Sequence, residues 1–87
     1  MLVAEVAESS LRRDREDKGS IYARAGIADY WIVNLVDRVL EVYREPGPDP
    51  AAPIGWRYQS VAALGRDGAV APLAAQGPRI PVADLLP

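Results

Sequence analysis

Residues 46–55, PGPDPAAPIG, restrict the possible folds of this chain more than any other stretch. Four prolines and two glycines in ten residues exclude a helix or an inner strand, because proline lacks a backbone N–H and has a fixed φ. The segment is therefore predicted to be a loop. It separates an N-terminal part with strand and helix patterns from a C-terminal part with short strands and turns.

A strand and a helix are predicted at the start of the chain. LVAEVA, residues 2–7, is an apolar run of strand length, typical of a sheet that is buried on both faces. The helix should begin at Leu11 or Asp14 and end at Ala25, with Gly26 in the left-handed position that often follows a helix.

Strands dominate the rest of the predicted fold. Residues 29–45 indicate a hairpin that turns near residues 36–38, with a central first strand and a second strand that has one wetter face. Residues 56–62 alternate between two faces, as a strand does. The RDG, PL, GP and IP sequences that follow predict short strands and turns before a helical turn at 82–86. The chain is predicted to be one domain, residues 1–87, of the α/β (α+β) class, with a mixed, mainly antiparallel sheet and one main helix.

The charge of the chain gives no overall attraction to nucleic acid. The net charge is −2 and the isoelectric point is about 5.0, so binding to DNA would need a local basic patch. A candidate patch lies in thirteen residues and also contains three acids, so a solvated helix face of mixed charge is the alternative. Its basic members are Arg12, Arg13, Arg15, Lys18 and Arg24.

Cysteine and histidine are both absent, which excludes disulfides, thiolate catalysis and the usual zinc sites. Hydrolytic chemistry would therefore need carboxylates, a lysine and a hard cation such as Mg²⁺. The chain has no secretory leader pattern and no apolar run close to the ~20 residues of a membrane span, which predicts a soluble cytoplasmic protein without a membrane partner.

Three residues are candidates for such chemistry. Glu5 is the only charge in its predicted strand, and a buried carboxylate usually has a cation beside it. Asp14 and Lys18 are four residues apart, on one helical stripe with Tyr22. The structural alternatives are an ion pair between Glu5 and an arginine, a helix cap at Asp14, a surface pair of about 0.3–0.5 kcal/mol between Asp14 and Lys18, and a core position for Tyr22.

Several motifs agree in order with one protein family. They are the EV strand end, a Ser-Ser exit, D-x3-K-x3-Y, YARAG, YWIV, EVYR, a Pro/Gly loop, GWRYQSV and a final DLLP. With these motifs the chain resembles the C-terminal part of the Uma-two family of restriction endonucleases, which belongs to the PD-(D/E)xK nuclease superfamily. The resemblance covers nearly the whole sequence.

The resemblance implies a truncated restriction-endonuclease-like core, Mg²⁺ as the cofactor and DNA phosphodiester hydrolysis. Glu5 matches the (D/E) carboxylate and would be the metal ligand, whereas Lys18 matches the family lysine, moved onto the helix. Asp14 matches the acid before this lysine and would orient the helix or the lysine. The resemblance also places another motif aspartate and further elements before Met1, and relatives often have aspartate where Asn34 stands.

Two hypotheses of different classes follow from this resemblance. The first is a magnesium-dependent endonuclease domain acting on DNA through Glu5 and Lys18. The second is a catalytically inactive remnant that acts as a small folded module or a homodimer, because a shortened sheet would expose an apolar edge. A third possibility is a small binding module unrelated to nucleases.

Overall fold

A computed structural model of the protein describes residues 1–74 and 79–87. Its main sheet has four strands in the order β1-β2-β3-β4, in which β1 and β2 are parallel and the other pairs are antiparallel. This confirms the predicted mixed, mainly antiparallel sheet with one main helical segment. The elements are β1 (Leu2–Ala7), a π-helical segment (Arg13–Lys18), α1 (Gly19–Arg24), β2 (Asp29–Asn34), β3 (Val39–Pro48), β4 (Trp56–Leu64), β5 (Ala69–Val70), β6 (Ile80–Pro81) and a 3-10 turn (Val82–Asp84).

The helical segment spans residues 11–24, close to the predicted bounds. Gly26 has φ +77° as expected, and the Ile27 N–H donates to the Tyr22 carbonyl at 3.1 Å, which gives a Schellman ending. The sequence did not predict that its first half, Arg13–Lys18, is π-helical rather than α-helical.

The predicted burial of β1 on both faces is wrong. β1 is an edge strand whose exposure alternates along the chain, and Val6 is 66% exposed. The reason is the limited extent of the layer that covers this face of the sheet. The C-terminal segment, through Val70, Val82 and Leu86, packs on β2 and β3, and the apolar cluster between them includes Trp31 and Leu40 but no residue of β1. β2, by contrast, is buried along its whole length, as predicted for a central strand.

Two predictions about β3 are also wrong. Its supposedly wetter face is buried, and Glu41 is only 4% exposed. The strand also continues to Pro48, into the segment predicted as a loop. Beyond Arg44 it pairs with β4 but no longer with β2. Pro46 and Pro48, which cannot donate a backbone hydrogen bond, therefore lie where only one side of the strand is paired.

The helical segment packs on one face of the sheet and the C-terminal segment on the other. Under the helix lies a layer of tyrosine rings, Tyr22, Tyr30, Tyr43 and Tyr58, with neighbouring centroids 5.0–6.0 Å apart. Because side chains alternate along a strand, the pairing of Val3 with Tyr30 places Val3, Glu5 and Ala7 on this helix-covered face.

The C-terminal segment is tied to the sheet by a buried carboxylate. Asp29 accepts hydrogen bonds from the Trp31 indole at 2.6 Å, the Arg44 guanidinium at 3.0 Å and the Leu73 N–H at 2.9 Å. The predicted final helical turn is present as Val82–Asp84, whereas the predicted turn at Gly77 and Pro78 lies outside the described residues.

Candidate active site

The structure brings together the three side chains that the sequence selected. The Lys18 Nζ lies 3.5 Å from the Glu5 Oε2 and 3.3 Å from the Asp14 Oδ1. Glu5 reaches this point because β1 directs it toward the helix, and Asp14 and Lys18 because residues four apart share one helical face. The alternative pairing of Glu5 with an arginine is wrong, since its cation is Lys18.

Asp14 is the buried member of the group, with 1% of its surface exposed. The Ser10 hydroxyl donates to its Oδ2 at 3.0 Å, whereas its buried Oδ1 faces Lys18 without a hydrogen bond. Its own N–H donates to the Ser10 carbonyl at 2.9 Å, so Asp14 lies inside the helical segment. The helix-cap alternative for Asp14 is therefore wrong. The alternative pair of Asp14 with Lys18 is present, but its acid is buried, so it is not the surface pair that was expected.

Lys18 is held as a cation. Contact with the Asp14 carboxylate, followed by the charge of Glu5, raises the pKa of the Lys18 ammonium, although partial loss of water opposes this. The side chain of Lys18 is 37% exposed and that of Glu5 is 27% exposed. These two residues can therefore meet a ligand from solution, whereas Asp14 cannot.

Tyr22 adds a hydroxyl to the group. It donates to the Glu5 Oε1 at 3.0 Å while its ring packs edge-on against Tyr30. Burial first, and then the neighbouring Glu5 carboxylate, raise the pKa of Tyr22, so the hydroxyl stays protonated and remains a donor. Tyr22 is thus not only the core residue that the sequence favoured. Its position four residues after Lys18 was the available signal.

A second buried carboxylate, Glu41, was missed from the sequence. It accepts hydrogen bonds from Arg15 at 2.9 Å, the Tyr43 hydroxyl at 2.6 Å and Asn34 at 2.8 Å. Burial alone would raise the pKa of Glu41, but these donors, above all Arg15, hold it below its ordinary value. The alternation of EVYR, which places Glu41 and Tyr43 on the face opposite to Val42, was the signal that could have found it.

The carboxylates of Glu5 and Glu41 flank one residue of the central strand. Ile32 pairs with Glu5 on one side and with Glu41 on the other, so all three lie on the face covered by the helix. The helical segment thus contacts the sheet through two ion pairs, Lys18 with Glu5 and Arg15 with Glu41. Together they fix how the helix lies over β1, β2 and β3.

Glu5 is the side chain of this site whose chemistry suits a hard cation, although its two oxygens contact the Tyr22 hydroxyl and the Lys18 ammonium. Glu5 offers partly exposed carboxylate oxygens, the ligand type that Mg²⁺ prefers, and Mg²⁺ usually keeps several waters and takes only one or two carboxylates. Within residues 1–74 and 79–87 there is no cluster of three or more His, Cys, Asp and Glu side chains that could hold a metal ion. A metal here would therefore rest mainly on Glu5.

The predicted basic patch is divided by these contacts. Arg15 is bound to Glu41 and Lys18 to the two site carboxylates, while the exposed Arg12 pairs with Glu16 at 3.1 Å. Arg13 and Arg24 are exposed on the helix surface. The outer helix face thus has the mixed charge that was the alternative to a basic patch.

Comparison with protein families decides the membership of the chain. The family Uma2, described as "Putative restriction endonuclease", has a model that matches residues 1–83. The chain belongs to the Uma2 family. Comparisons with curated proteins and with solved structures gave no match.

Membership in Uma2 agrees with the motif resemblance, and the sheet with one main helical segment is compatible with a truncated nuclease-like core. In this Uma2 protein, Lys18 and Tyr22 of D-x3-K-x3-Y contact Glu5, the single carboxylate of the EV strand, and the motif aspartate, Asp14, contacts Lys18. None of the helices in the described part of the chain has the length and apolar character needed to cross a membrane.

Proposed function

We propose that this Uma2 protein is a magnesium-dependent endonuclease that hydrolyses DNA phosphodiester bonds, with Glu5, Lys18 and Asp14 as its active site. The observation that carries the proposal is the position of the Lys18 ammonium between the Glu5 and Asp14 carboxylates on the exposed edge of the sheet. A cation and an accessible carboxylate side by side suit a reaction at a phosphate. The family supplies the reaction class.

Each side chain has a role that its exposure permits. Glu5 would hold Mg²⁺, which when bound polarises the phosphate and stabilises charge on the leaving oxygen. Lys18 would contact the phosphate or the attacking water, because its ammonium is charged and reachable. Asp14 is buried and would orient Lys18, and the Tyr22 hydroxyl would orient Glu5.

DNA is the proposed substrate although the chain carries a net charge of −2. Its contacts would therefore be local, from Lys18, the bound metal and the exposed Arg13 near the start of the helical segment. Few phosphate contacts mean that binding should be weak and should weaken further as salt increases.

Metal-dependent cleavage of plasmid DNA tests the proposal. The wild-type chain should nick or linearise plasmid in Mg²⁺ and not in a chelator, Lys18→Ala should lower the rate by about 10²–10³, and Glu5→Gln should abolish it. Glu8→Gln is the matched control, because Glu8 is exposed and lies three residues beyond Glu5, outside the site. Cleavage that both site variants retain would refute the assignment.

A second candidate function, an inactive module that forms a homodimer, is favoured by the outer side of β1. No strand within residues 1–74 and 79–87 pairs with this edge, and Leu2 and Val6 are exposed beside it. Glu5 points to the helix-covered face, so the exposed face of β1 has no charge to repel a second copy. We propose antiparallel pairing of β1 with β1 of another chain, which gives a symmetric contact.

A further inference from the structure

The hydroxyl of Tyr30 lies directly beneath the π-helical segment. Tyr30 is on the central strand, fully buried, and its hydroxyl donates to the backbone carbonyl of Asp14 at 2.9 Å. Burial, and then the charges of Asp14 and Glu5, raise the pKa of Tyr30, so this hydroxyl stays protonated at neutral pH and remains a hydrogen-bond donor.

The same carbonyl also accepts the hydrogen bond that closes the last π turn of this segment. The Gly19 N–H is directed to the Asp14 carbonyl, five residues earlier, and to the Glu16 carbonyl, three residues earlier, but not to the residue four earlier as in an α-helix. The Asp14 carbonyl therefore has two donors, one from the helix and one from the sheet. A π turn is rare and local, so a fixed donor from outside the helix is a physical reason for it to form at this residue.

The position of the π turn decides which side chains face the sheet. Both side chains that reach the two carboxylates lie within the π-helical segment: Arg15 contacts Glu41 on β3 and Lys18 contacts Glu5 on β1. An α-helix over the same residues would change the angle between these two side chains about the helix axis, because its turn has fewer residues. The two ion pairs could then not both keep their present geometry.

We propose that Tyr30 is a positioning residue of the active site, because its hydroxyl fixes the π turn that places Asp14 and Lys18 beside Glu5. Tyr30 touches neither Lys18 nor Glu5 through a hydrogen bond and acts through the Asp14 backbone. The statement that these residues form an active site rests on the proposed function. The statement that Tyr30 fixes the π turn is independent of it.

The test compares Tyr30→Phe with Tyr58→Phe, a matched control. Tyr58 is also buried in the tyrosine layer, stacks on Tyr30, and donates its hydroxyl to a backbone carbonyl, that of Ile27, outside the π turn. Both variants keep the ring and lose one buried hydroxyl, so both should lower the melting temperature. If Tyr30 only stabilised the core, as Tyr58 does, the two variants would also be alike in the NMR signals of the helical segment.

The readouts are NMR signals of the magnesium-free protein. In the wild type, scalar coupling across the hydrogen bond should connect the Gly19 nitrogen with the Asp14 carbonyl carbon. This measurement needs only the wild type, so it reports the π turn even if a variant fails to fold. In Tyr30→Phe this coupling should disappear, Gly19 amide exchange should become at least ten times faster, and the Lys18 ammonium signal should shift. In Tyr58→Phe all three should stay at their wild-type values.

The inference is overturned if the wild-type Gly19 nitrogen couples to the Arg15 carbonyl carbon, if Tyr30→Phe keeps the wild-type coupling, or if Tyr58→Phe moves the Lys18 signal equally. Plasmid cleavage forms the second arm. A wild type that cleaves nothing refutes the proposed function and leaves the NMR test intact. In an active protein, Tyr30→Phe should lower the cleavage rate at least tenfold more than Tyr58→Phe.

Discussion

The ionisable side chains under the helix divide into an accessible pair and a closed one. Lys18 and Glu5 remain partly exposed to solvent. Arg15 and Glu41 form a pair whose carboxylate is almost fully enclosed by three side-chain donors. The first pair suits chemistry and the second suits the attachment of the helix to the sheet.

Glu41→Gln tests this division. It should destabilise the fold by about 1.5–3 kcal/mol, because charge-assisted hydrogen bonds from Arg15 are lost in a buried place, and urea unfolding measures the change. The pKa of Glu41 is lowered in the folded protein, so its contribution is complete above its ordinary value of 4.5 and is lost as pH falls through the lower folded value.

The wild type should therefore lose stability more steeply than Glu41→Gln when the pH falls below about 4.5. Glu8→Gln, at an exposed position, should follow the wild-type pH dependence. Parallel pH profiles for Glu41→Gln and the wild type would show that this carboxylate does not stabilise the fold through its charge.

At the scale of elements, the two edges of the sheet differ in character. β1 presents the exposed Leu2 and Val6, whereas the exposed positions of β4 include Arg57 and Gln59 as well as Val61. Charged and polar side chains along an edge discourage pairing with another chain, so β4 is the better protected edge. Self-association, if it occurs through a strand, should use β1.

Val6→Lys tests the proposed dimer. A lysine at this position would place two like charges in the symmetric contact and should convert the dimer to a monomer in sedimentation-velocity experiments at high protein concentration. Val61→Lys on β4 is the control, because Val61 is similarly exposed, at 58% against 66% for Val6. A wild-type protein that stays monomeric at all concentrations would contradict the proposal.

At the scale of the whole molecule, the features that depend on neighbouring residues were predictable. The hairpin from Asp29, the glycine ending at Gly26 and the alternation of β4 each follow from short-range patterns, and the structure has all three. The convergence of Asp14 and Lys18 also follows from helical spacing, and Glu5 was a candidate as the only charge of its predicted strand.

The errors all concern contacts between distant parts of the chain. The exposure of β1 depends on how far the C-terminal layer reaches, and the burial of Glu41 depends on Arg15 from the helix. β3 continues to Pro48, beyond the last residue that pairs with β2. The π turn lies where the Tyr30 hydroxyl, from β2, donates to the Asp14 carbonyl. No local pattern contains this information.

Thermal unfolding at increasing Mg²⁺ concentration tests, without any substrate, the proposed Mg²⁺ site at Glu5 and Lys18. Mg²⁺ should raise the melting temperature of the wild type and of Glu8→Gln, corresponding to about 2.7 kcal/mol at a hundred times the dissociation constant, and should leave that of Glu5→Gln unchanged. A wild type that Mg²⁺ does not stabilise, or an equal gain in Glu5→Gln, would contradict the proposed site.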